Sequence, residues 1–225
     1  CHLFITHSHA DHVQGLSFFS PMYNPAWTVN VYLPEWDIGL LERCFDGSSF
    51  SVSFPELRAN LVLHPVAPGR VLEVAGARVV TYQTNHPGGC IAYKVTADDE
   101  VFVYSGDHEI TPDKNVLLQT EDILRGATIA VVDAAYSRDN FHPGWGHSAG
   151  EDGVARARAV GVNSLVLTHH AQFRSDEGLD QLQSVLRTWQ REGFRCVVAR
   201  EHMRFPVMEG ALKPDQPSNW LSRFI

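Results

Sequence analysis

Residues 7 to 12 read His-Ser-His-Ala-Asp-His, directly behind the apolar run Leu3-Phe4-Ile5. Strong metal-ligand side chains crowd this short stretch at the end of an expected buried strand. His7 and His9 alternate as side chains leaving a strand do, whereas the adjacent Asp11 and His12 must point in different directions. The backbone between them is too short to wrap all of them around one ion. Two neighbouring ions can share them, so the spacing suggests a dinuclear site; a His-rich surface turn is the plainer alternative. Three more metal-capable residues stand where a strand gives way to a loop. They are His86 after Arg-Val-Val-Thr-Tyr-Gln-Thr-Asn, Asp107 after Val-Phe-Val-Tyr-Ser-Gly and His169 after Leu-Val-Leu-Thr. Such loops are the usual place for sites in layered α/β proteins.

The elements that must position these residues are short. Val, Ile, Leu and Tyr enrichment bounded by Gly, Pro, Asn or Asp predicts strands over Val29–Leu33, Leu61–His64, Val71–Val74, Arg78–Gln83, Cys90–Thr96, Val101–Tyr104, Thr128–Asp133, Ser164–Thr168 and Phe194–Arg200. Helices are expected over Asp11–Phe18, Trp36–Phe45, Asn115–Leu124, Gly150–Val160 and Glu177–Glu192. In the last of these, Leu179, Leu182, Leu186 and Trp189 form an amphipathic stripe. Hairpin-like strands come first and strand–helix alternation follows, which predicts an α/β fold of layered sheets flanked by helices. One domain over residues 1–225 is expected, with 209–225 as a surface-packed tail.

Lys plus Arg total 18 against 26 Asp plus Glu, a net charge of −8. Broad nucleic-acid binding needs basic surface and is not expected. A small anionic substrate remains compatible, because a metal site supplies its own positive charge. No apolar run approaches the ~18–20 residues that span a membrane, so no membrane partner is expected. Cys1, Cys44, Cys90 and Cys196 form no C-x-x-C pair, which removes zinc-ribbon and thioredoxin-like readings. Free thiols in a reducing, cytoplasmic compartment are expected. The chain opens on Cys and already in a strand, so it reads as a fragment or processed product.

Taken in order, Thr-His-Ser-His-Ala-Asp-His, Asn-His-Pro-Gly-Gly, Ser-Gly-Asp and Leu-Thr-His resemble the motifs of the metallo-β-lactamase-fold hydrolases. Asp133 to Tyr136 (Asp-Ala-Ala-Tyr) and Gly144 to Ser148 (Gly-Trp-Gly-His-Ser) resemble the phosphodiesterase and ribonuclease Z-like branch. The resemblance implies a four-layer αββα sandwich, here without the strands that normally precede the first motif. It implies that His7, His9 and His86 hold one metal, that Asp11, His12 and His169 hold a second, and that Asp107 bridges them. Zinc suits this imidazole-rich, thiolate-free set, with manganese or iron as alternatives. The branch often carries Asp-Pro after its paired histidines, where this chain has His170-Ala171-Gln172.

On this resemblance the expected activity is phosphodiester hydrolysis by a metal-bound hydroxide. Two divalent ions, two aspartates and the hydroxide leave about +1, suited to an anionic substrate. His147, paired with Asp133, would protonate the leaving oxygen. Asp11, His147 and Asp133 are thus the candidate catalytic residues. Lactone or thioester hydrolysis, iron-dependent sulfur or oxygen chemistry, and a non-catalytic binding module are the other readings. His108 and His170 adjoin ligands but read more simply as ordinary histidines, as do His2, His64, His142 and His202. Gly88 and Gly89 are expected to permit an unusual turn behind His86, and Ser148 is not expected to be a nucleophile. Phe18, Phe19, Met22, Tyr23 and Trp27 read best as core, with a pocket wall or a homodimer contact as alternatives.

Overall fold

The computed structural model describes residues 1–190 and 192–204; the expected 209–225 tail lies outside them. Three strands, β1 (His2–Phe4), β2 (Thr28–Pro34) and β3 (Asn60–Val66), form a parallel sheet in that order. The expectation that hairpins come first therefore does not hold. Parallel pairing needs crossover connections, and residues 5–27 and 35–59 supply them. Four strands then form an antiparallel meander: β4 (Val71–Val74), β5 (Ala77–Gln83), β6 (Ile91–Ala97) and β7 (Glu100–Tyr104). Its two tight turns, Ala75-Gly76 and Asp98-Asp99, have positive φ at both central residues, the backbone twist that favours hairpin closure.

From β7 onward the chain alternates. Helix α3 (Lys114–Leu124) leads to β8 (Ile129–Asp133), α4 (Gly150–Ala159) to β9 (Ser164–Thr168), and α5 (Asp176–Trp189) to β10 (Arg195–Val198). These strands pair in parallel and complete a seven-stranded sheet in the order β10-β9-β8-β7-β6-β5-β4. We number the earlier helices α1 (Ala10–Val13) and α2 (Leu40–Cys44). Both are shorter than expected. The segment after α1 is a 3-10 turn, Gln14–Phe18, and a 3-10 turn at Glu35–Asp37 precedes α2. Gly15 and Gly39 fall inside the two expected helices, and glycine weakens a helix interior by about 1 kcal/mol relative to alanine.

Side-chain alternation defines the layers. On β2, the fully buried Val29, Val31 and Leu33 pack with Val13 of α1, Leu40 and Leu41 of α2, and Met22. Tyr32, between them in sequence, instead joins Val79, Ile91 and Tyr93 from the larger sheet. The far face of that sheet, including Val103, Val132, Leu165 and Leu167, buries Ile123 and Leu124 of α3, Val154 of α4 and Leu186 of α5. Leu179, Leu182 and Trp189 pack against the same cluster, so the stripe on α5 faces as its spacing predicts. The order is helix, sheet, sheet, helix. Of the aromatic stretch, Met22, Phe19 and Tyr23 join the core; Phe18 and Trp27 are exposed, contrary to a purely core reading.

This topology brings the metal-capable residues to one edge. Parallel β7, β8 and β9 deliver their C-terminal ends to the same side of the sheet, where Asp133 is the last residue of β8 and Asp107 and His169 follow β7 and β9. β5 is antiparallel to β6, and β6 to β7, so β5 also ends there, ahead of His86. The smaller sheet is tied in where β1 ends. Ile91 N donates to Thr6 O at 2.9 Å, and the Tyr93 hydroxyl donates to Ile5 O at 2.7 Å.

Candidate metal centre

Asp107 lies at the middle of the edge, 1% exposed. Its Oδ2 is 3.1 Å from His12 Nε2, 3.4 Å from His7 Nε2 and 3.9 Å from His86 Nε2, and its Oδ1 is 3.5 Å from His169 Nε2. His9 turns Nδ1 to within 3.2 Å of His86 Nε2. On the other side, Asp11 Oδ2 is 3.3 Å from His12 Nε2 and 3.2 Å from His169 Nε2, and those two nitrogens are 3.2 Å apart. Two groups emerge that could each hold an ion: His7, His9, His86 and Asp107, and Asp11, His12 and His169, with Asp107 reaching both. His147, Asp133, Asp107 and His169 make a third, overlapping group.

These spacings can be compared with what a metal requires. Ligand atoms about 2.0–2.1 Å from a tetrahedral zinc stand about 3.3 Å from one another. Most contacts above cluster around that value. His7 Nε2 and Asp107 Oδ1 are buried without a hydrogen-bond partner among the described residues. Buried polar atoms rarely lack a partner, and an ion at the centre would satisfy both. The donor set therefore fits divalent metal.

Burial alone would raise the Asp107 carboxyl pKa. The adjacent imidazoles of His12 and His7 and the charge of His169 outweigh it and hold the group ionised far below the usual range. Burial lowers His86, with the neighbouring His7 and His9 adding to the effect and Gly146 and Asp107 opposing it; His9 is lowered in the same way, chiefly by burial and His7. Neutral imidazole is the form that binds metal.

Local backbone choices serve this convergence. Gly106, at φ +61°, lets β7 end against Thr6 and Cys90; a Cβ there would stand 2.8 Å from Cys90 Sγ. Gly88 and Gly89, at φ +81° and +86°, form the turn expected behind His86. His169 is itself at φ +58°. A non-glycine residue in that region costs of order 1–3 kcal/mol and tends to occur at functional sites.

Asp133 is 2% exposed and accepts from the Ala135 N–H at 2.9 Å. His147 Nδ1 donates to Asp133 Oδ2 at 2.8 Å, so the sequence-paired His147 and Asp133 are paired in space. Burial opposes the charged imidazole, but the Asp133 hydrogen bond and the charges of Asp133, Asp107 and Asp11 prevail and raise the His147 pKa. Its ring lies nearly parallel to that of His169, with centroids 4.8 Å apart.

Two residues matter more than the sequence suggests. His108 is buried; its Nδ1 accepts from Asn85 N at 3.0 Å and its Nε2 donates to Thr120 Oγ1 of α3 at 2.7 Å. Burial, with a lesser contribution from His86, pushes its pKa down to about 4. It is a neutral structural post. Glu109, absent from the expected set, is 4% exposed and accepts from the N–H groups of Gly144 and Gly146 in the His147 loop. The Gly-rich loop signals amides in need of an acceptor, but no local pattern says which carboxylate meets them. Ser148 lies behind the centre, 1% exposed. Its buried hydroxyl donates to His108 O and accepts from Ile110 N.

Residues 2–170 match the family described as a beta-lactamase superfamily domain, and the chain belongs to that family. It is 21% identical over 255 residues to a ribonuclease Z of Archaeoglobus fulgidus, covering 91% of this chain and 80% of that protein. The metallo-β-lactamase fold protein YhfI from Bacillus subtilis superposes with a TM-score of 0.66 at 17% identity, over 88% of this chain and 74% of that one. The short form of human tRNase Z gives 0.66 at 17% identity, over 92% and 78%. These likenesses establish the metallo-β-lactamase fold. No helix among the described residues is long and apolar enough to cross a membrane.

If His108 is a structural post, His108→Ala orphans the Asn85 N–H. Urea unfolding should show a loss of about 1–3 kcal/mol, while bound metal per chain, measured by plasma mass spectrometry, stays at the wild-type value. A stable variant that loses metal would instead make His108 part of the centre.

Proposed function

We propose that the chain is a metal-dependent hydrolase with a dinuclear centre that cleaves phosphodiesters. His7, His9 and His86 are read as ligands of one ion, Asp11, His12 and His169 of the other, and Asp107 as the bridge. The observation that carries this reading is the ring of donor atoms at mutual distances near 3.3 Å around a buried carboxylate with an unpartnered oxygen. Zinc suits imidazole and carboxylate donors without thiolate. When bound, two such ions supply Lewis acidity and an activated water.

The residues themselves set the rest. Two carboxylates, Asp11 and Asp107, leave a pair of divalent charges incompletely neutralised, which favours an anionic substrate and a transition state that gathers charge on phosphoryl oxygen. Asp133 takes the His147 Nδ1 proton in a hydrogen bond and so leaves Nε2 for a second partner. A histidine oriented by a carboxylate is suited to protonate a leaving alkoxide. Asp11, the exposed carboxylate of the group, is the remaining candidate to handle the proton of the attacking water. The phosphodiester assignment is supported by the relatives named as ribonuclease Z and tRNase Z, since ribonucleases act on that bond. The acidic balance of the chain favours a small anionic substrate over extended nucleic acid.

Asp107→Ala should lose at least one metal equivalent and nearly all hydrolysis of bis(p-nitrophenyl) phosphate. A fully loaded, active variant would remove the bridge from the account. Wild-type protein that fails to turn over this substrate with zinc, manganese or iron would remove the phosphodiesterase.

His147→Ala separates catalysis from metal binding. Metal content should remain at the wild-type level while turnover of poor leaving groups falls ~10²–10⁴-fold, with a much smaller loss for p-nitrophenolate. Equal losses for both would make His147 a substrate-positioning group, and lost metal would make it a ligand.

A further inference from the structure

Glu109 stands two residues beyond Asp107, and its side chain reaches the Gly144–His147 loop. Its carboxylate accepts from Gly144 N with both oxygens, each at 2.9 Å, and from Gly146 N with Oε2 at 2.8 Å. Among the described residues no Lys or Arg forms an ion pair with it. Burying a carboxylate is costly unless its oxygens are hydrogen-bonded, so these amides are its principal compensation. The loop's other tethers are the contacts of His86 with Gly146 O and of His147 with Asp133. Trp145, its one large side chain, is 65% exposed, and Gly144 and Gly146 both sit at positive φ.

Gly146 serves the site in two directions. Its N–H donates to Glu109, and its C=O accepts from His86 Nδ1 at 3.0 Å. The second contact fixes the proton of His86 on Nδ1 and leaves Nε2 unprotonated toward the centre, as a metal ligand requires. A Cβ on Gly146 would stand 2.2 Å from His86 Nδ1, so the approach needs glycine. The next residue is His147. Glu109 is itself anchored beside His86: its N–H donates to Asn85 O at 2.8 Å, and Asn85 Nδ2 donates to Glu109 O at 2.9 Å.

We infer that Glu109 is a positioning residue that clamps the Gly144–His147 loop through two backbone amides and thereby sets both the donor state of His86 and the place of His147. The inference rests on reading His86 as a ligand and His147 as the proton donor. A carboxylate suits the task because both oxygens accept, whereas a glutamine must turn a donor toward one of the two amides. The neutral, isosteric Glu109→Gln is therefore a sharp probe.

Amide hydrogen exchange, metal affinity and leaving-group dependence are measured on wild-type protein and Glu109→Gln. In the variant, protection at Gly144 and Gly146 should fall at least tenfold while the strands keep theirs. One metal equivalent should bind ~10-fold more weakly in chelator competition, within the range for groups that orient ligands. Turnover should fall more for poor leaving groups than for p-nitrophenolate, and little further in a double variant that also carries His147→Ala. A folded Glu109→Gln with wild-type protection and metal affinity overturns the clamp. If the variant does not fold, the wild type decides: slow exchange at Gly144 and Gly146 supports the clamp, and exchange as fast as in open loops overturns it. Wild-type protein that binds metal but cleaves no phosphodiester refutes the proposed function instead, and exchange and affinity still judge Glu109.

Discussion

The structure turns on one buried charge. Asp107 carries its carboxylate into a nearly solvent-free junction between the two sheets, where an unpaired anion would be strongly unfavourable. Every imidazole brought to that point answers this cost, and the unpartnered Asp107 Oδ1 and His7 Nε2 leave room for further positive charge. The histidines cannot meet the demand fully as cations, because burial and mutual repulsion push His86 and His9 toward neutrality. A divalent ion held by these residues would resolve the conflict, since it binds imidazole in the neutral form and carboxylate in the ionised one.

The fold supplies the convergence. β5, β7, β8 and β9 end on one side of the larger sheet, and Tyr93 locks the end of β1 against it. What the strands leave unfinished, irregular backbone completes. Gly106 admits close contact with Thr6 and Cys90, Gly146 admits contact with His86, and His169 accepts a left-handed conformation. Behind the centre, Asp133, His108, Glu109 and Ser148 form a polar layer whose main acceptors and donors are backbone groups. That layer ties the loops behind the centre together through hydrogen bonds.

Local chemistry was legible in the sequence, and distant geometry was not. The crowding of His7, His9, Asp11 and His12 within residues 7 to 12 is a signal that needs no fold to interpret. His86, Asp107 and His169 became readable because each ends a short β-rich run. Their meeting follows from strand order, which periodicity does not encode. The parallel pairing of β1, β2 and β3 escaped the reading because short apolar runs carry no sign of direction. Glu109 escaped it for a related reason: it binds backbone amides 35 and 37 residues away, and amides leave no mark in a sequence. The same holds for His108, whose partners are one amide and one threonine hydroxyl.

Anomalous diffraction from crystals of the zinc-loaded protein tests the dinuclear centre most directly. The account predicts two peaks about 3.5–4 Å apart. One should lie among His7, His9, His86 and Asp107, the other among Asp11, His12, His169 and Asp107, with none on His147. A single peak, or one coordinated by His147 and Asp133, would contradict it.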